Sequence, residues 1–430
     1  MIENEDPVIA NSLWSATANP APDCPSLHGE AAADVAVIGA GFTGLSAALH
    51  LAKAGRTVTV LEAEAPGWGA SGRNGGQVNP GLKEDPDAVL ARFGPEIGAR
   101  MVALSGAAGQ LVFDLIERHG IQCDPVRSGW VRAAHSKTAL DTLKETATQW
   151  QRRGAPLRML DADEIAEMIG TTAYRGGLID PRGGNLHPLN YALGLAHAAI
   201  RAGARIHGHS RALRLETGAG GYRIETSGGT LQAGKVLLCT NGYTDGLVPS
   251  LARTIVPVRS IQVATKPLSG NIGTSILPNR QAPSDTRRLL LYYRKDSHGR
   301  LLMGGRGAYS DGGTQMQFDA LRKVTQQMFP QIGEVSWEYA WGGFIAVTSD
   351  HYPHLNQLDE GIVAGLGYNG RGVAMATAMG RVMSDWATGV PAAALDFPMT
   401  AVRPIPFHRF RRLGVRATTA GYRLLDQLGI

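Results

Sequence analysis

Three glycines and one acid near the start of the chain have the spacing of a dinucleotide site. Gly39, Gly41 and Gly44 follow the pattern G-x-G-x-x-G, and Glu62 lies 23 positions after the first of them. In this pattern the first glycine permits a tight turn, the second lets the backbone approach a pyrophosphate, and the third allows close helix–strand packing. An acid about 20 residues further on binds the ribose hydroxyls. Because Glu62 is not an arginine, the pattern argues against a 2′-phosphate.

The segments around these residues would position them. Residues 34–38 read DVAVI, which is typical of a buried parallel strand, and residues 45–54 have helix-forming composition with Gly55 as a stop. A second strand over residues 57–61 leads directly to Glu62. The helix would direct its N-terminal N–H groups and the positive end of its dipole at the phosphates. This order of elements predicts a βαβ unit that binds a dinucleotide.

A glycine-rich loop distinguishes between the two common dinucleotides. Residues 67–77 read GWGASGRNGGQ. A nicotinamide enzyme would continue with regular strand–helix units, whereas a long, flexible loop suits a backbone laid along the ribityl chain and ring of a flavin. Trp68 argues against a solvent-exposed linker. The loop therefore favours FAD over NAD.

The composition indicates a soluble globular protein of two domains. The chain has 430 residues, of which 43% are hydrophobic and 18% charged, and this length exceeds one ordinary core. Its three cysteines, Cys24, Cys123 and Cys239, have no metal-ligand spacing, so no metal site is predicted. Their odd number, with an N-terminus unlike a secretory leader, predicts a reducing, cytoplasmic location.

The net charge of +5 is not concentrated in a stripe with interleaved aromatics, so nucleic acid is not an expected partner. The one local concentration lies in residues 391–430. Six arginines alternate there with large apolar residues: Arg403, Arg409, Arg411, Arg412, Arg416 and Arg423, with Phe407, Phe410, Leu413, Leu424 and Leu425. Such a segment could lie on a membrane surface as a basic amphipathic helix. The favoured interpretation is a terminal helix that packs on its own domain.

Longer blocks of the sequence resemble the D-amino-acid oxidase family of FAD enzymes, and most of all its γ-glutamylputrescine oxidase branch. The blocks are ADVAVIGAGFTGLSAALHLA, VLEAEAPGWGASGRNGGQV, GGLIDPRGGNLHPLNYALGLA, VLLCTNGYT, YAWGGFIAVTSDHYPHL and GLGYNGRGVAMATAMGRVMSD. They occur in family order and cover nearly the whole chain, and GASGRNGG is the most branch-specific part.

The resemblance implies an α/β fold, in which a Rossmann-type FAD-binding domain lies beside an α+β substrate domain with a mixed sheet. The FAD domain would comprise residues 30–86, 157–245 and 346–390, and the substrate domain residues 87–156 and 246–345. Residues 391–430 would form a basic helical tail. The helix that starts near Gly370 would point its N-terminus at the flavin N1–O2 edge, where negative charge develops on reduction.

The resemblance also implies which positions contact the cofactor and the substrate. The implied FAD contacts are Gly39, Gly41, Phe42, Thr43, Gly44, Glu62, Ala63, Gly69, Ala70, Ser71, Arg73, Asn74, Gly75, Gly76, Gln77, Ala212, Thr240, Asn241, Gly242, Gly343, Gly370, Arg371, Gly372, Val373 and Ala374. The implied substrate contacts are Arg294, Trp341 and Tyr368. No catalytic base is identified, because the flavin is the electron acceptor. Three histidines are candidates by type but are more typical of structural or surface positions: His187, His351 and His354.

Two positions depart from the sarcosine oxidase branch of the family. That branch attaches its flavin through a cysteine five positions before a T-x-D motif, where this chain has Gly343, and this predicts non-covalent FAD. The branch also binds the substrate carboxylate through a lysine after its last G-x-G, where this chain has Ala374. We therefore expect either a longer amine substrate or a substrate carboxylate that is bound by other residues of the protein. Possible carboxylate partners are Arg294, Arg300 and Arg306.

These features predict hydride transfer from the carbon beside an amine nitrogen to flavin N5, which gives an imine that water hydrolyses. γ-Glutamylputrescine or a similar polyamine-derived amine is the leading substrate. A secondary or cyclic amino acid of the L-pipecolate, sarcosine or glycine type is the alternative. No counterpart of the oxygen-activating lysine of sarcosine oxidases is found, so O2 and a quinone or other electron carrier are both open as acceptors. Two other hypotheses are a flavoprotein that docks on a membrane chain through its tail and an NAD-dependent dehydrogenase, which would lack flavin absorbance.

Overall fold

The computed structural model describes residues 12–218, 220–307 and 311–428, without the side chains of residues 311–313, 420 and 423–428. The described strands are β1 (Gly29–Ile38), β2 (Val58–Leu61), β3 (Gln77–Val78), β4 (Trp130–Ala133), β5 (Arg158–Leu160), β6 (Gly177–Asp180), β7 (Gly184–Asn185), β8 (Arg205–His207), β9 (Arg214–Gly218), β10 (Gly221–Glu225), β11 (Gly229–Leu238), β12 (Val256–Pro267), β13 (Ala282–Asp285), β14 (Tyr292–Lys295), β15 (Arg300–Arg306), β16 (Trp337–Val347), β17 (His354–Asp359), β18 (Ile362–Leu366) and β19 (Met399–Ala401).

The described helices are α1 (Leu13–Ala16), α2 (Phe42–Lys53), α3 (Pro86–Phe93), α4 (Pro95–His119), α5 (Lys137–Gln151), α6 (Ala162–Ile169), α7 (Pro188–Arg201), α8 (Pro249–Ala252), α9 (Gly270–Ser275), α10 (Asp311–Met328), α11 (Gly372–Ala387) and α12 (Arg411–Leu428). The strands form one sheet of nine strands, one of eight, and the small pair β3–β7.

The nine-stranded sheet is built around parallel strands. Its order is β19-β17-β18-β11-β1-β2-β8, with β10 and β9 added antiparallel beside β11. β1 pairs in parallel with both β11 and β2, and its last four residues are buried, as a β-branched strand covered on both faces requires. The Rossmann-type arrangement predicted from the sequence is confirmed.

The eight-stranded sheet has the order β16-β12-β15-β14-β13-β4-β6-β5. Only the pair β13–β4 is parallel within this described sheet, so the sheet is mixed. It has a hydrophobic core of its own, in which Ile261, Tyr293, Met303 and Phe329 are fully buried. This sheet corresponds to the predicted mixed sheet of the substrate domain.

Four elements lie on the other side of the predicted domain boundaries. β5 and β6 belong to the eight-stranded sheet, so residues 158–180 join the substrate sheet instead of the FAD domain. α4 was expected in the substrate domain, but its Met101 and Val112 share the buried core of α2 and α11. β19 pairs with β17, so the nine-stranded sheet continues past residue 390. Pairing between distant strands decides these boundaries, and sequence order does not reveal it.

α4 is the one helix among the described residues that is long and apolar enough to cross a membrane by length and composition. Within its most apolar window, 61% is buried inside the protein. A helix that is apolar over most of its surface is required where a core surrounds it. Its packing against α3, α7 and α11 therefore accounts for its composition.

The exposure of the tail differs from the favoured expectation. α12 forms, but Phe407, Phe410 and Leu413 are 80%, 49% and 62% exposed. The expectation that the apolar residues of the tail pack on their own domain is therefore wrong for these three. Leu424 and Leu425 lie among the side chains that the structure does not describe.

Candidate active site

A cavity of about 430 Å³ lies between the two large sheets. The nucleotide domain lines it with residues 38–43 and 238–241, which follow the carboxyl ends of β1 and β11. The substrate sheet lines it with Ser260, Tyr292 and Gly305. Ligands of open α/β folds bind at the carboxyl ends of the strands, and this volume falls within the roughly 300–1,000 Å³ of small-molecule sites. Both domains therefore contribute to one site.

Each of the three fingerprint glycines meets a different steric constraint in the structure. Gly39 has a φ of 105°, and a Cβ there would lie 2.9 Å from the Cys239 carbonyl oxygen. A Cβ on Gly41 would lie 2.9 Å from Ser71 Oγ, at the cavity wall. Gly44 does not line the cavity, and a Cβ there would collide with the Gly39 carbonyl oxygen. The first glycine therefore makes the turn, the second opens the wall, and the third lets α2 pack on β1.

Glu62 provides a half-buried, oriented carboxylate at the fingerprint end of the cavity. Its Oε2 accepts from the Ala40 N–H at 2.7 Å, and its Oε1 accepts from the Glu64 N–H at 3.0 Å. Burial raises the pKa of Glu62, and the two N–H donors oppose that rise. Nearby, Arg211 pairs with Asp245 at 2.9 Å and with Glu64 at 3.3 Å, which fixes the outer wall. This end can bind hydroxyl groups.

The glycine-rich loop is held in place instead of being flexible. Arg73 Nε donates to the Trp68 carbonyl oxygen at 2.8 Å, and the guanidinium lies 4.6 Å from the centre of the Trp68 ring. The Arg73 carbonyl oxygen accepts from Gln262 Nε2 at 2.7 Å and from Trp341 Nε1 at 3.1 Å. The next carbonyl oxygen, of Asn74, accepts from Trp14 Nε1 at 2.9 Å. Three donors from distant segments therefore fix two consecutive peptide groups of this loop.

A second helix N-terminus faces the same cavity. α11 begins at Gly372, and residues 369–373 line the cavity. Asn241 Oδ1 accepts from the Gly367 N–H at 2.9 Å, and Asn369 Oδ1 accepts from the Thr348 N–H at 3.0 Å, which holds the preceding turn. Since α2 also begins at this cavity, two positive dipole ends converge on it. Such an arrangement stabilises a ligand with negative charge at two places.

Most of the predicted cofactor positions come together around this cavity. The four that do not line it are Gly44, Gly76, Gly242 and Ala374. Ala374 is fully buried in the core shared with α2, directly after the lining residue Val373.

Only one of the three predicted substrate positions lines the cavity. Tyr368 lines the cavity, and its hydroxyl is hydrogen-bonded to Thr43 Oγ1 at 2.7 Å. Burial raises the pKa of Tyr368, so the phenol keeps its proton. Trp341 lies outside the lining and holds the glycine-rich loop. Arg294 is buried against the Trp14 ring at 5.2 Å and donates to the Leu186 carbonyl oxygen, so it too lies outside the lining.

A group of cations on the substrate side of the cavity was largely missed by the sequence reasoning. These lining residues are Lys83, Arg259, Arg288, Arg306 and Arg371. Glu62 and Asp245 are the acids among the described lining residues, and both lie at the nucleotide end. Burial lowers the pKa of Lys83. Burial, together with the charge of Arg132, lowers the pKa of Arg371 to about 9. We call these five residues the cationic wall.

The remaining candidates have structural roles or lie outside the site. Arg300 pairs with Asp296 and Glu338 at the far end of β15 from Arg306. His187 Nδ1 accepts from the Asn190 N–H at the start of α7, and burial next to Arg294 lowers its pKa to about 3. His351 and His354 lie 3.0 Å from Glu84 and 3.1 Å from Asp350, respectively. Cys239 lines the cavity beside Gly39, but burial raises the pKa of its thiol.

The similarity of this chain to known proteins extends over its whole length. The family model "FAD dependent oxidoreductase" (DAO) matches residues 34–386. The gamma-glutamylputrescine oxidoreductase of Escherichia coli (strain K12) is 33% identical over 426 residues, which cover 98% of this chain and 99% of that protein. The probable oxidoreductase OrdL of Rhizobium meliloti (strain 1021) is 33% identical over 389 residues, or 90% of each chain. The crystal structure of glycine oxidase from Geobacillus kaustophilus has the same fold, with a TM-score of 0.72 at 23% identity, covering 86% of this chain and 99% of that one. The chain belongs to the DAO family of FAD-dependent oxidoreductases, acts on amines or amino acids, and uses FAD as its cofactor.

Proposed function

We propose that this enzyme oxidises the C–N bond of an amine that also carries a carboxylate, with γ-glutamylputrescine as the leading substrate. The observation that carries this proposal is the cationic wall, which gives the substrate side of the cavity five positive side chains. Similarity to the E. coli enzyme over nearly the full length of both chains supports the choice of amine.

The residues around the cavity fit FAD in an extended pose. Glu62 would bind the ribose hydroxyls, and the N-terminus of α2 would face the pyrophosphate. The clamped loop over residues 69–75 would lie along the ribityl chain and ring, and the N-terminus of α11 would face the edge of the ring that gains negative charge. Bound FAD supplies the acceptor for a hydride. We infer that it is held without a covalent bond, because Gly343 offers no nucleophile.

The cationic wall would act on the substrate in two ways. It would attract the carboxylate, because a charge-assisted bond to arginine is among the strongest that a protein offers. It would also lower the pKa of a bound ammonium group, because like charges disfavour the protonated form. An amine must be neutral before its neighbouring carbon can lose a hydride. A free diamine such as putrescine would bring no carboxylate to these positive side chains, whereas its γ-glutamyl derivative does.

The alternative substrate is a secondary or cyclic amino acid of the L-pipecolate, sarcosine or glycine type. The same cationic wall would bind the carboxylate of such an amino acid, so it supports this alternative as well. The two substrates differ in where the carboxylate lies. In an amino acid it is attached to the carbon that is oxidised, whereas in γ-glutamylputrescine it is many bonds away from that carbon. Arg371 lies at the start of α11 and Arg306 lies on the substrate sheet. The two arginines would therefore contribute differently to binding the carboxylate of each substrate.

An anaerobic titration tests the proposal. The purified enzyme is mixed with γ-glutamylputrescine, putrescine, L-pipecolate, sarcosine or glycine, and the visible absorbance of the oxidised flavin is followed. We expect γ-glutamylputrescine to bleach the flavin and putrescine to leave it oxidised. Bleaching by L-pipecolate, sarcosine or glycine alone would replace the leading substrate by the alternative. Bleaching by putrescine at least as fast as by γ-glutamylputrescine would refute the role of the cationic wall.

The electron acceptor and the location are further parts of this proposal. Reduced enzyme mixed with either aerated buffer or an anaerobic quinone would distinguish an oxidase from a dehydrogenase through the rate at which absorbance returns. We infer a cytoplasmic enzyme from the composition and from the three free cysteines of the described chain, two of which are buried.

A further inference from the structure

The positive charge of this protein is concentrated near its C-terminal end, in residues 397–425 between Asp396 and Asp426, which we call the basic tail. It contains six arginines and no acidic residue or lysine, whereas the whole chain has a net charge of only +5. The tail thus carries one more charge than the whole chain, and the remaining residues have a formal charge of −1. A charge asymmetry of this kind is typical of a segment that binds an anionic partner.

The start of the basic tail is attached firmly to the body of the protein. The Ile405 N–H donates to the Arg253 carbonyl oxygen at 2.8 Å, and His408 Nε2 donates to the Ile255 carbonyl oxygen at 2.8 Å. Between these two contacts, Phe407 adopts a left-handed conformation with a φ of 55° and is 80% exposed. The turn therefore projects a large apolar side chain into solvent at a fixed place.

The segment after this turn exposes apolar and basic side chains together. The Arg409 guanidinium lies 4.7 Å from the centre of the Phe410 ring, and both residues are exposed. In α12, Leu413 and Ala417 are four residues apart and so share one face, whereas Arg412 and Arg416 share the neighbouring face. All four are exposed. Apolar residues beside a basic face are the pattern of a helix that lies in the interface of a membrane.

We propose that the basic tail docks this enzyme on an anionic lipid surface. The arginines would approach the negative headgroups, and Phe407, Phe410 and Leu413 would enter the boundary between headgroups and acyl chains. The phosphate backbone of duplex DNA would leave these apolar side chains in water. This inference concerns where the enzyme sits, and it does not depend on which amine the cavity accepts.

Vesicle flotation of the full-length holoenzyme tests this inference. The two probes are vesicles of pure phosphatidylcholine and vesicles of equimolar phosphatidylcholine and phosphatidylglycerol. We expect the enzyme to float only with the second kind and to be released at high salt, because screening shortens the reach of surface charge. The variant R412Q/R416Q should bind about 30-fold more weakly, since each arginine near an anionic surface contributes a factor of about five.

A charge-matched control separates a specific site from general attraction. Arg175 and Arg205 are exposed, and β8, which contains Arg205, lies at the opposite edge of the nine-stranded sheet from β19. The variant R175Q/R205Q should therefore float like the original protein. The variant F410S/L413S should lose about tenfold in binding while keeping its salt dependence, because it removes apolar insertion and leaves the charges in place. Flavin bleaching by substrate should be unchanged in all three variants.

Four outcomes would overturn the inference. They are failure to float with anionic vesicles, equal binding of R412Q/R416Q and the original protein, tighter binding to duplex DNA than to anionic vesicles, and a dimer in solution that F410S/L413S converts to monomers. The last outcome would assign the exposed apolar residues to a second copy of the chain. Because flavin bleaching is read separately, none of these results can be confused with failure of the proposed reaction.

Discussion

The side chain of Arg73 occupies the space into which a side chain at residue 343 would extend. A Cβ on Gly343 would lie 2.9 Å from Arg73 Cβ and 3.0 Å from Arg73 Cδ. Arg73 is in turn held by the Trp68 carbonyl oxygen and by contact with the Trp68 ring. The position that carries the flavin-linking cysteine in the sarcosine oxidase branch is therefore filled by a neighbour in this chain, and not merely substituted.

We expect acid precipitation of the native enzyme to release all flavin into the supernatant. Gly343→Cys should not create a covalent link, and it should lower the ratio of bound flavin to protein, because the new side chain displaces Arg73. Gly246→Cys is the matched control, since a Cβ on Gly246 meets no heavy atom within 4 Å. Yellow colour in the precipitate of the native enzyme would refute non-covalent binding.

Arg306 should set the affinity for the carboxylate of the substrate. Arg306→Gln is expected to raise KM for the preferred amine by roughly 10- to 100-fold, since a hydrogen bond to a charged group contributes about 1.5–3 kcal/mol. The value of kcat should change little, because the carboxylate is bound equally before and during hydride transfer. Arg300→Gln is the control, because Arg300 lies on the same strand but pairs with Asp296 and Glu338 away from the cavity. Equal KM values for the two variants would contradict this role.

Glu62 should be required for tight binding of FAD. Glu62→Gln replaces one acceptor by an NH2 group, which would face either the Ala40 or the Glu64 N–H. We expect FAD affinity to fall by about 10- to 100-fold, consistent with loss of charged hydrogen bonds of about 1.5–3 kcal/mol. Quenching of flavin fluorescence during titration of the apoprotein measures this. Glu225→Gln, at an ion pair on β10, should leave the affinity unchanged.

The clamp on the glycine-rich loop should contribute to cofactor retention. Trp14→Phe removes the donor to the Asn74 carbonyl oxygen, and Trp341→Phe removes one donor to the Arg73 carbonyl oxygen. Each change should lower the stability of the holoenzyme by about 1–3 kcal/mol where a buried carbonyl is left without a partner. Trp14→Phe should have the larger effect, because Arg73 keeps its bond from Gln262. Thermal unfolding with excess FAD measures both, and Trp337→Phe, elsewhere on the substrate sheet, is the control.

His187 should make the fold sensitive to acid. Burial and the neighbouring Arg294 lower its pKa to about 3 in the folded chain from an ordinary value of 6.5. As pH falls below about 6.5, the unfolded chain gains a proton here and the folded chain does not, so stability decreases until the pH reaches about 3. The loss at about pH 5 is roughly 2 kcal/mol, at about 1.4 kcal/mol per pH unit.

His187→Asn isolates this effect, because the asparagine oxygen can still accept from the Asn190 N–H but does not titrate. Its stability, from denaturant titrations at several pH values, should vary less between about pH 7 and pH 5 than that of the original protein. His298→Asn, in an exposed turn, should retain the original pH dependence. Identical profiles for His187→Asn and the original protein would contradict the assignment.

The sequence by itself determined the nucleotide half of the site. Gly39, Gly41, Gly44 and Glu62 have roles that depend on spacing within one βαβ unit, and such short-range geometry follows directly from the order of residues. The loop over residues 67–77 could likewise be assigned to the cofactor from the sequence, because a glycine-rich backbone can lie close along the ribityl chain and ring of a flavin. These are local relations, and the spacing alone is enough to predict them.

Only the tertiary structure decided the substrate half. The cationic wall brings together Lys83 after the glycine-rich loop, Arg259 on β12, Arg288 before β14, Arg306 on β15 and Arg371 before α11. Arg371 lies within the G-x-G of residues 370–372, but the other four belong to no spaced motif. The order of β12, β15 and β14 in the eight-stranded sheet is what makes Arg259, Arg288 and Arg306 neighbours. The same holds for Trp14 and Trp341, which reach one loop from opposite ends of the chain. It also holds for the basic tail, because its amphipathic composition fits both a packed and an exposed helix, and only the fold determines whether a surface is available to cover it.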